Sequence, residues 1–190
     1  MAKRVTGAVL GLWLTTLLAA SAGAETVNGV ELRETLEAGD SELVLNGAGV
    51  RSKFFIKLYV AALYLPAASA DAEAILSADE PQAIALHVTS GRINSDNMTE
   101  ATLEGFEKST GGDLAPIQQE VDELLKVFAD EISEGDVFDL VYVPEEGVRV
   151  IKNGELGKTI GDREFKEALF GIWLSDEPAQ GSLKDDMLGD

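Results

Sequence analysis

The pattern of hydrophobic and polar positions predicts a mixture of β-strands and amphipathic helices. Alternating or short apolar runs predict strands at 42–46, 53–65, 83–89, 137–143, 148–151 and 155–160. Apolar residues at helical spacing predict a short helix at 71–76 and longer helices at 98–108, at 116–132 and from Asp162 onward. This order of elements indicates an α+β fold, in which an antiparallel β-sheet carries helices packed on one face.

Glycines and the longest apolar run refine this picture. Gly47-Ala48-Gly49 follows the strand at 42–46 and predicts a turn, and Asn153-Gly154 predicts a type I′ hairpin. The run at 53–65 is apolar on both of its alternating faces and ends before Pro66. It therefore predicts one long central strand that is covered on both sides.

Residues 1–24 have the features of a secretory signal peptide. Lys3 and Arg4 precede an apolar stretch, and Ala22-Gly23-Ala24 fits the small-residue site that signal peptidase cleaves. Cleavage between Ala24 and Glu25 is predicted to leave a single domain of residues 25–190 that is periplasmic or secreted, and the alternative is a retained N-terminal anchor. No later apolar run reaches the ~18 residues of a membrane span, so no transmembrane segment is predicted after cleavage.

Charge and composition exclude several classes of function. The chain has 34 acidic and 15 basic residues, a net charge of -19, and loss of the leader removes two cations and gives -21. So negative a domain is not expected to bind nucleic acid through a basic surface. Cysteine is absent, and the single histidine, His87, lies in an apolar run that predicts a packed side chain rather than a base. We therefore predict no metal and no cofactor.

Two segments resemble a known family. The first is Asn46-Gly47-Ala48-Gly49-Val50-Arg51 with Phe55-Ile56-Lys57 and Tyr64-Leu65, and the second is the run FKEALFGIWL at 165–174 with Pro178 and Leu183-Lys184. Together they resemble the chalcone isomerase-like family, in its bacterial, exported and non-catalytic branch. The resemblance spans 43–189, and it implies a large antiparallel sheet with a ligand cleft between the sheet and helices on one face.

The resemblance also suggests which residues form the site. Plant members of the family close a flavanone ring by adding a phenolate to an enone, whereas other members bind fatty acids and hold the carboxylate with an arginine. Arg51 matches that arginine, and Tyr59 falls at the position of a strand threonine in the plant enzymes. Arg92 falls near the position of the family's lysine, and Asn94 and Asn97 are two amides near that of its asparagine, between which the resemblance does not choose. The tyrosine of the enzymes has no counterpart between Arg92 and Val141, which disfavours chalcone cyclisation.

Three functions follow from this comparison. The favoured one is an exported, non-enzymatic protein that binds a fatty-acid-like or other amphiphilic anion, with Arg51 at the anionic head, Tyr59 along the tail, and Arg92 and Asn97 as further ligand-binding residues. The second is an isomerase or intramolecular lyase that acts on an enone through Arg51 and Tyr59. The third is an accessory envelope protein with a vestigial cleft. In that case Phe54, Tyr59 and Trp173 would fill the cleft, and Arg51 would pair outward with an acid.

Overall fold

A computed structural model of the protein describes residues 24–189. The predicted signal peptide lies outside the described residues except for Ala24, so its cleavage stays a prediction. The strands are β1 (Thr26–Val27), β2 (Val30–Glu31), β3 (Thr35–Ala38), β4 (Ser41–Lys53), β5 (Ile56–Leu65), β6 (Gln82–Val88), β7 (Val137–Val143), β8 (Gly147–Lys152) and β9 (Glu155–Ile160). The helices are α1 (Ala72–Ser77), α2 (Ser95–Ser109), α3 (Gln118–Phe128), α4 (Arg163–Leu174) and α5 (Gly181–Leu188), with a 3₁₀ turn at Ala115–Ile117.

The seven strands from β3 to β9 form one antiparallel sheet. They lie side by side in sequence order, so each strand pairs with its neighbours along the chain. Strands β1 and β2 form a separate two-stranded hairpin. The observed α+β architecture confirms the fold class that the hydrophobic pattern predicts.

The two faces of the sheet are covered differently. On one face, Ala61, Leu63 and Leu65 of β5 belong to an apolar core that includes buried residues of all five helices. On the other face, Val60, Ala62 and Tyr64 pack with Leu32 and Leu36 at the N-terminal end of the chain. The centre of the sheet is thus buried on both sides, as predicted for β5, and the helices share one face.

The predicted turn at Gly47-Ala48-Gly49 is wrong, because β4 continues through these residues to Lys53. The two glycines serve close packing instead. A β-carbon at Gly47 would lie 2.8 Å from the Met187 carbonyl oxygen, and one at Gly49 would lie 2.5 Å from a carboxylate oxygen of Asp186. Helix α5 therefore crosses β4 so closely that only glycine, which has no β-carbon, fits at positions 47 and 49.

The predicted single strand at 53–65 is also wrong, because it begins with a turn. Lys53 pairs with Ile56, and Phe54 and Phe55 form the two-residue connection between β4 and β5. Both phenylalanines have positive φ angles, 50° and 64°. Apolar residues without glycine or asparagine carry no turn signal, so the sequence pattern runs through this hairpin.

Other local predictions are confirmed. Strands β7 and β9 have the predicted bounds, and Asn153 and Gly154 adopt φ angles of 52° and 83°, as a type I′ turn requires. Asp162 caps α4 by accepting hydrogen bonds from the backbone N–H groups of Glu164 and Phe165. Among residues 24–189, no helix combines the length and apolar character that crossing a bilayer requires.

One lysine lies inside the core. Lys166 of α4 is fully buried, and its ammonium donates hydrogen bonds to the carbonyl oxygens of Leu76 and Ala78, each at 2.7 Å. It also lies 5.3 Å from the centre of the Tyr142 ring. These contacts fix the C-terminal end of α1 against α4. Burial lowers the pKa of Lys166 to about 8.

The low pKa of Lys166 predicts a pH-dependent stability. An unfolded lysine has its ordinary pKa of 10.5, so between pH 8 and 10.5 the unfolded chain binds more protons than the folded one. Burial of the charged Lys166 ammonium therefore destabilises the fold fully at a pH below the folded pKa of about 8, and this destabilisation declines as the pH rises toward 10.5. When the pH is raised from about 7 to about 9.5, we expect the free energy of unfolding to increase by about 2 kcal/mol because of the titration of Lys166. Urea denaturation across this range, compared with Lys166→Met, measures it. An equal pH dependence in both proteins would contradict the prediction.

Candidate functional site

A cavity of about 320 Å³ lies between the sheet and the helices. Its inner wall is apolar and is formed by residues of the sheet and of helices α2, α3 and α4. Leu86 and Leu140 contribute from the sheet, and Leu169, Ile172 and Trp173 contribute from α4; all five are buried. The volume is at the lower end of the ~300–1,000 Å³ that small-molecule sites have in proteins. An apolar chain or ring system of modest size fits this environment.

Arg51 and Tyr59 lie opposite each other at this cavity. They are cross-strand partners at the ends of β4 and β5 that adjoin the turn, and both line the cavity. Arg51 Nη1 donates to the Ser52 carbonyl oxygen at 2.7 Å and to Gln180 Oε1 at 3.2 Å. Within residues 24–189, no carboxylate lies within ion-pair distance of Arg51. A guanidinium carries five N–H groups, so these two bonds leave others for an anionic ligand.

Gln180 orients this arginine and was not identified from the sequence. Its Oε1 also accepts the Ser52 backbone N–H at 2.9 Å, and its Nε2 donates to the Val50 carbonyl oxygen at 3.1 Å. The side chain thus bridges β4 to the start of α5. No local pattern marks it, because its partners lie about 130 positions earlier in the chain.

The Tyr59 hydroxyl is a neutral hydrogen-bonding group at the same place. It accepts a hydrogen bond from Trp173 Nε1 at 3.0 Å. Burial raises the pKa of Tyr59, and the Trp173 hydrogen bond and the charge of Arg51 oppose that rise. The hydroxyl therefore keeps its proton at neutral pH. With Trp173 as its donor, it can give its own proton to a ligand oxygen next to Arg51.

Cations surround the opening of the cavity. Lys53, Arg92 and Lys108 are exposed residues of its lining, together with Arg51 and the carboxylate of Glu104. Lys108 pairs with Glu104 at 2.6 Å, and this hydrogen bond lowers the pKa of the Glu104 carboxyl group. Three exposed cations and one exposed anion at the opening, in addition to the half-buried Arg51, contrast with the excess of acids in the chain as a whole. The opening is therefore suited to an anion.

Arg92 and Asn97 have different places in this arrangement. Arg92 is exposed on the loop before α2, and Asn97 lies in the first turn of that helix. Asn97 Oδ1 accepts the Asn94 backbone N–H at 3.1 Å, and its Nδ2 donates to the Arg92 carbonyl oxygen at 2.6 Å. The Asn97 amide thus already has partners that hold the loop to the helix. Contact of either side chain with a ligand stays a prediction.

The remaining candidate chemistry lies elsewhere. His87 is in β6, opposite Val60 and outside the cavity lining, and burial lowers its pKa. Tyr64 and Tyr142 hydrogen-bond to Arg33 and Asp79, also outside the lining. Within residues 24–189, no cluster of three or more His, Cys, Asp and Glu side chains is arranged to hold a metal ion. Among residues 24–189, the polar side chains that are buried or half-buried in the cavity lining therefore include the Arg51 guanidinium, the Tyr59 hydroxyl and the Thr102 hydroxyl.

Comparison with known proteins agrees with this architecture. A family model described as chalcone isomerase-like matches residues 24–189. A crystal structure of a fatty-acid binding protein from Arabidopsis thaliana superposes with a TM-score of 0.66 and 18% identity, over 84% of this chain and 92% of that one. At this identity the likeness concerns the fold alone. A search of curated proteins finds no match.

Proposed function

Because the chain belongs to the chalcone isomerase-like family, we propose that it is an exported, non-enzymatic protein that binds a fatty-acid-like anion. The observation that carries the proposal is the environment of Arg51. This cation lines an apolar cavity and has no carboxylate partner among residues 24–189, although the chain has 34 acids. A partly buried guanidinium is stabilised by an anion, and a ligand carboxylate supplies one.

The geometry suggests how such a ligand would be held. Its carboxylate accepts hydrogen bonds from Arg51 and from the Tyr59 hydroxyl, whose orientation is set by Trp173. Its chain lies along the buried leucines of β6 and β7 and against α4. The similar Arabidopsis protein is described as fatty-acid binding, which supports the same ligand class here.

The cavity supports binding over the two alternatives. An isomerase would need several oriented polar groups around the reacting atoms, and among residues 24–189 the inner lining supplies few of them, chiefly the side chains of Arg51, Tyr59 and Thr102. A vestigial cleft would be filled by Phe54, Tyr59 and Trp173, but Phe54 is 84% exposed and the cavity is open. Binding of an anionic ligand without chemical change accounts for both the open cavity and the Arg51 charge in its lining.

The direct test compares ligands that differ only in the head group. Protein purified from its host is examined by native mass spectrometry for co-purifying lipid, and the delipidated protein is titrated with a long-chain fatty acid and with its methyl ester. We expect the acid to bind at least about tenfold more tightly, because only the acid forms charge-assisted hydrogen bonds with Arg51. Absence of co-purifying lipid together with no binding at high micromolar concentration would refute the proposal.

Filling the cavity should block binding without removing the anion site. Thr102 of α2 is buried in the cavity lining, so Thr102→Phe places a ring where the ligand chain would lie. We expect this variant to bind the fatty acid at least about tenfold more weakly. Thr102→Ser is the matched control, because it keeps the hydroxyl group and adds no bulk, and loss of one methyl group should change the affinity by less than about fourfold. Isothermal titration measures both, and equal affinities for the two variants would place the ligand outside this cavity.

A further inference from the structure

The turn between β4 and β5 exposes two large apolar side chains next to the cavity. We call residues 53–57 the hairpin tip. Phe54 is 84% exposed and Phe55 is fully exposed, whereas Val44 and Leu156, the other exposed large apolar residues of the part that the structure describes, are 38% and 59% exposed. Phe54 also lines the cavity opening. Two adjacent exposed aromatic rings at one tip are typical of a surface that contacts a protein partner or a membrane.

The backbone of the hairpin tip disfavours these residues. Both phenylalanines adopt the left-handed conformation, in which a β-carbon is crowded and glycine or asparagine is preferred. The β8–β9 hairpin of the same protein has an equivalent two-residue turn, formed by Asn153 and Gly154. The rings at 54 and 55 therefore stand at positions where turn chemistry favours other residues, so the local backbone does not explain their presence.

The charge around the hairpin tip is positive. Lys53 and Lys57 flank the two rings, and the exposed Arg92 and Lys108 line the cavity to which Phe54 contributes, together with the half-buried Arg51. Lys57 donates a hydrogen bond to the Asn28 side-chain oxygen at 2.8 Å, and among residues 24–189 Glu104, which pairs with Lys108, is the single acid in the lining. The rest of the chain is rich in acids. An anionic surface therefore attracts the hairpin tip and the cavity opening and repels the remainder of the molecule, which orients the protein with the tip toward that surface.

We propose that the hairpin tip docks on a lipid bilayer that contains anionic headgroups. Phe54 and Phe55 enter the interfacial region, and the lysines on either side contact the headgroups. The bilayer contact places the cavity opening at the membrane surface, so an amphiphile passes between bilayer and cavity without crossing bulk water. Docking is a property of the protein surface and holds whether or not the cavity takes a fatty acid.

Vesicle co-sedimentation of the delipidated protein tests the docking surface. We expect binding to phosphatidylcholine vesicles that contain phosphatidylglycerol, and weaker binding to phosphatidylcholine alone. The double variant Phe54→Asn/Phe55→Gly should lower the partition coefficient at least about tenfold. This variant copies the residues of the β8–β9 turn, so it should fold with undiminished stability. Its thermal melt confirms the fold before binding is compared.

Two further variants separate the possible outcomes. Leu156→Ser removes an exposed apolar side chain from β9 and should leave vesicle binding unchanged. Thr102→Phe, which fills the cavity, should bind vesicles as the wild type does, so docking and fatty-acid binding can fail independently. Equal binding by the wild type and the Asn/Gly variant would overturn the proposal. So would a wild-type dimer that the Asn/Gly variant abolishes in size-exclusion chromatography, because a second copy would then cover the tip.

Discussion

Replacing Arg51 by glutamine should weaken fatty-acid binding by about 10- to 100-fold, which corresponds to the ~1.5–3 kcal/mol of a charge-assisted hydrogen bond. The expectation follows from the position of the guanidinium, which lines the cavity without a carboxylate partner among residues 24–189. Glutamine keeps a hydrogen-bonding side chain but loses the charge and the planar fork. The apolar wall is unchanged, so the methyl ester should bind the variant and the wild type equally well.

A matched substitution controls for general charge effects. Arg149→Gln makes the same change on β8, where the arginine pairs with Glu146 at 2.6 Å and lies outside the cavity lining. Fatty-acid affinity should change by less than about twofold in this variant, because the Arg149 charge is already paired with Glu146 and lies outside the lining, where salt screens its effect. If Arg51→Gln and Arg149→Gln lose affinity equally, or if the acid and the ester are affected alike, Arg51 does not hold the carboxylate.

Local sequence patterns predicted the elements whose structure depends on neighbouring residues. Strands β7 and β9 follow from period-two alternation, and the turn between β8 and β9 follows from Asn153-Gly154. The start of α4 follows from the capping side chain of Asp162. In each case the information lies within a few positions, because turns and caps are hydrogen-bonded locally.

Distant contacts account for the errors. Gly47 and Gly49 indicated a turn because small residues often form turns, yet they are needed where α5 crosses the strand. That helix lies near the C-terminus, so the requirement cannot be read from the residues around the glycines. At the hairpin tip the sequence pattern predicted a continuous strand where the structure has a turn. Phe54 and Phe55 continue an apolar run, and nothing in the pattern marks the reversal between them.

The candidate site was predictable only in part, because some of its residues are positioned by contacts between distant parts of the chain. Arg51 and Tyr59 were identified from the family resemblance, and the structure brings them together as cross-strand partners. Gln180, which binds Arg51, and Lys108 come from other parts of the chain, and only the fold places them at the cavity. A resemblance transfers single positions, whereas the partners that orient them depend on tertiary contacts.

The Gly47→Ala variant should lose about 3 kcal/mol of unfolding free energy, because it forces a β-carbon into the backbone of α5. That β-carbon would lie 2.8 Å from the Met187 carbonyl oxygen and also in contact with the carbonyl oxygen of Asp186. Main-chain atoms cannot rotate away as a side chain can. Met187 is further held by Asn46, whose Nδ2 donates to its carbonyl oxygen at 2.9 Å. Helix α5 must therefore shift, and the buried side chains of Leu183 and Met187 lose packing.

Residue preference alone predicts the opposite sign, which makes the experiment decisive. Alanine has less freedom than glycine in the unfolded chain, so it normally stabilises an ordered segment by ~0.4–1 kcal/mol. Gly181→Ala is the matched control: it lies at the start of the same helix, and its β-carbon meets no atom within 4 Å. Thermal unfolding should show Gly47→Ala about 6–12 °C below the wild type and Gly181→Ala slightly above it. A melting temperature of Gly47→Ala at or above that of the wild type would contradict this prediction.

The same substitution should reach the cavity through Gln180. This residue immediately precedes α5 and accepts a hydrogen bond from Arg51 at 3.2 Å. A displaced α5 moves Gln180 and releases the guanidinium from its orientation. Fatty-acid affinity of Gly47→Ala should therefore fall at least about threefold at a temperature where the variant is still folded, whereas Gly181→Ala should bind as the wild type does. Lost stability with unchanged affinity would mean that the α5 contact supports the fold without orienting Arg51.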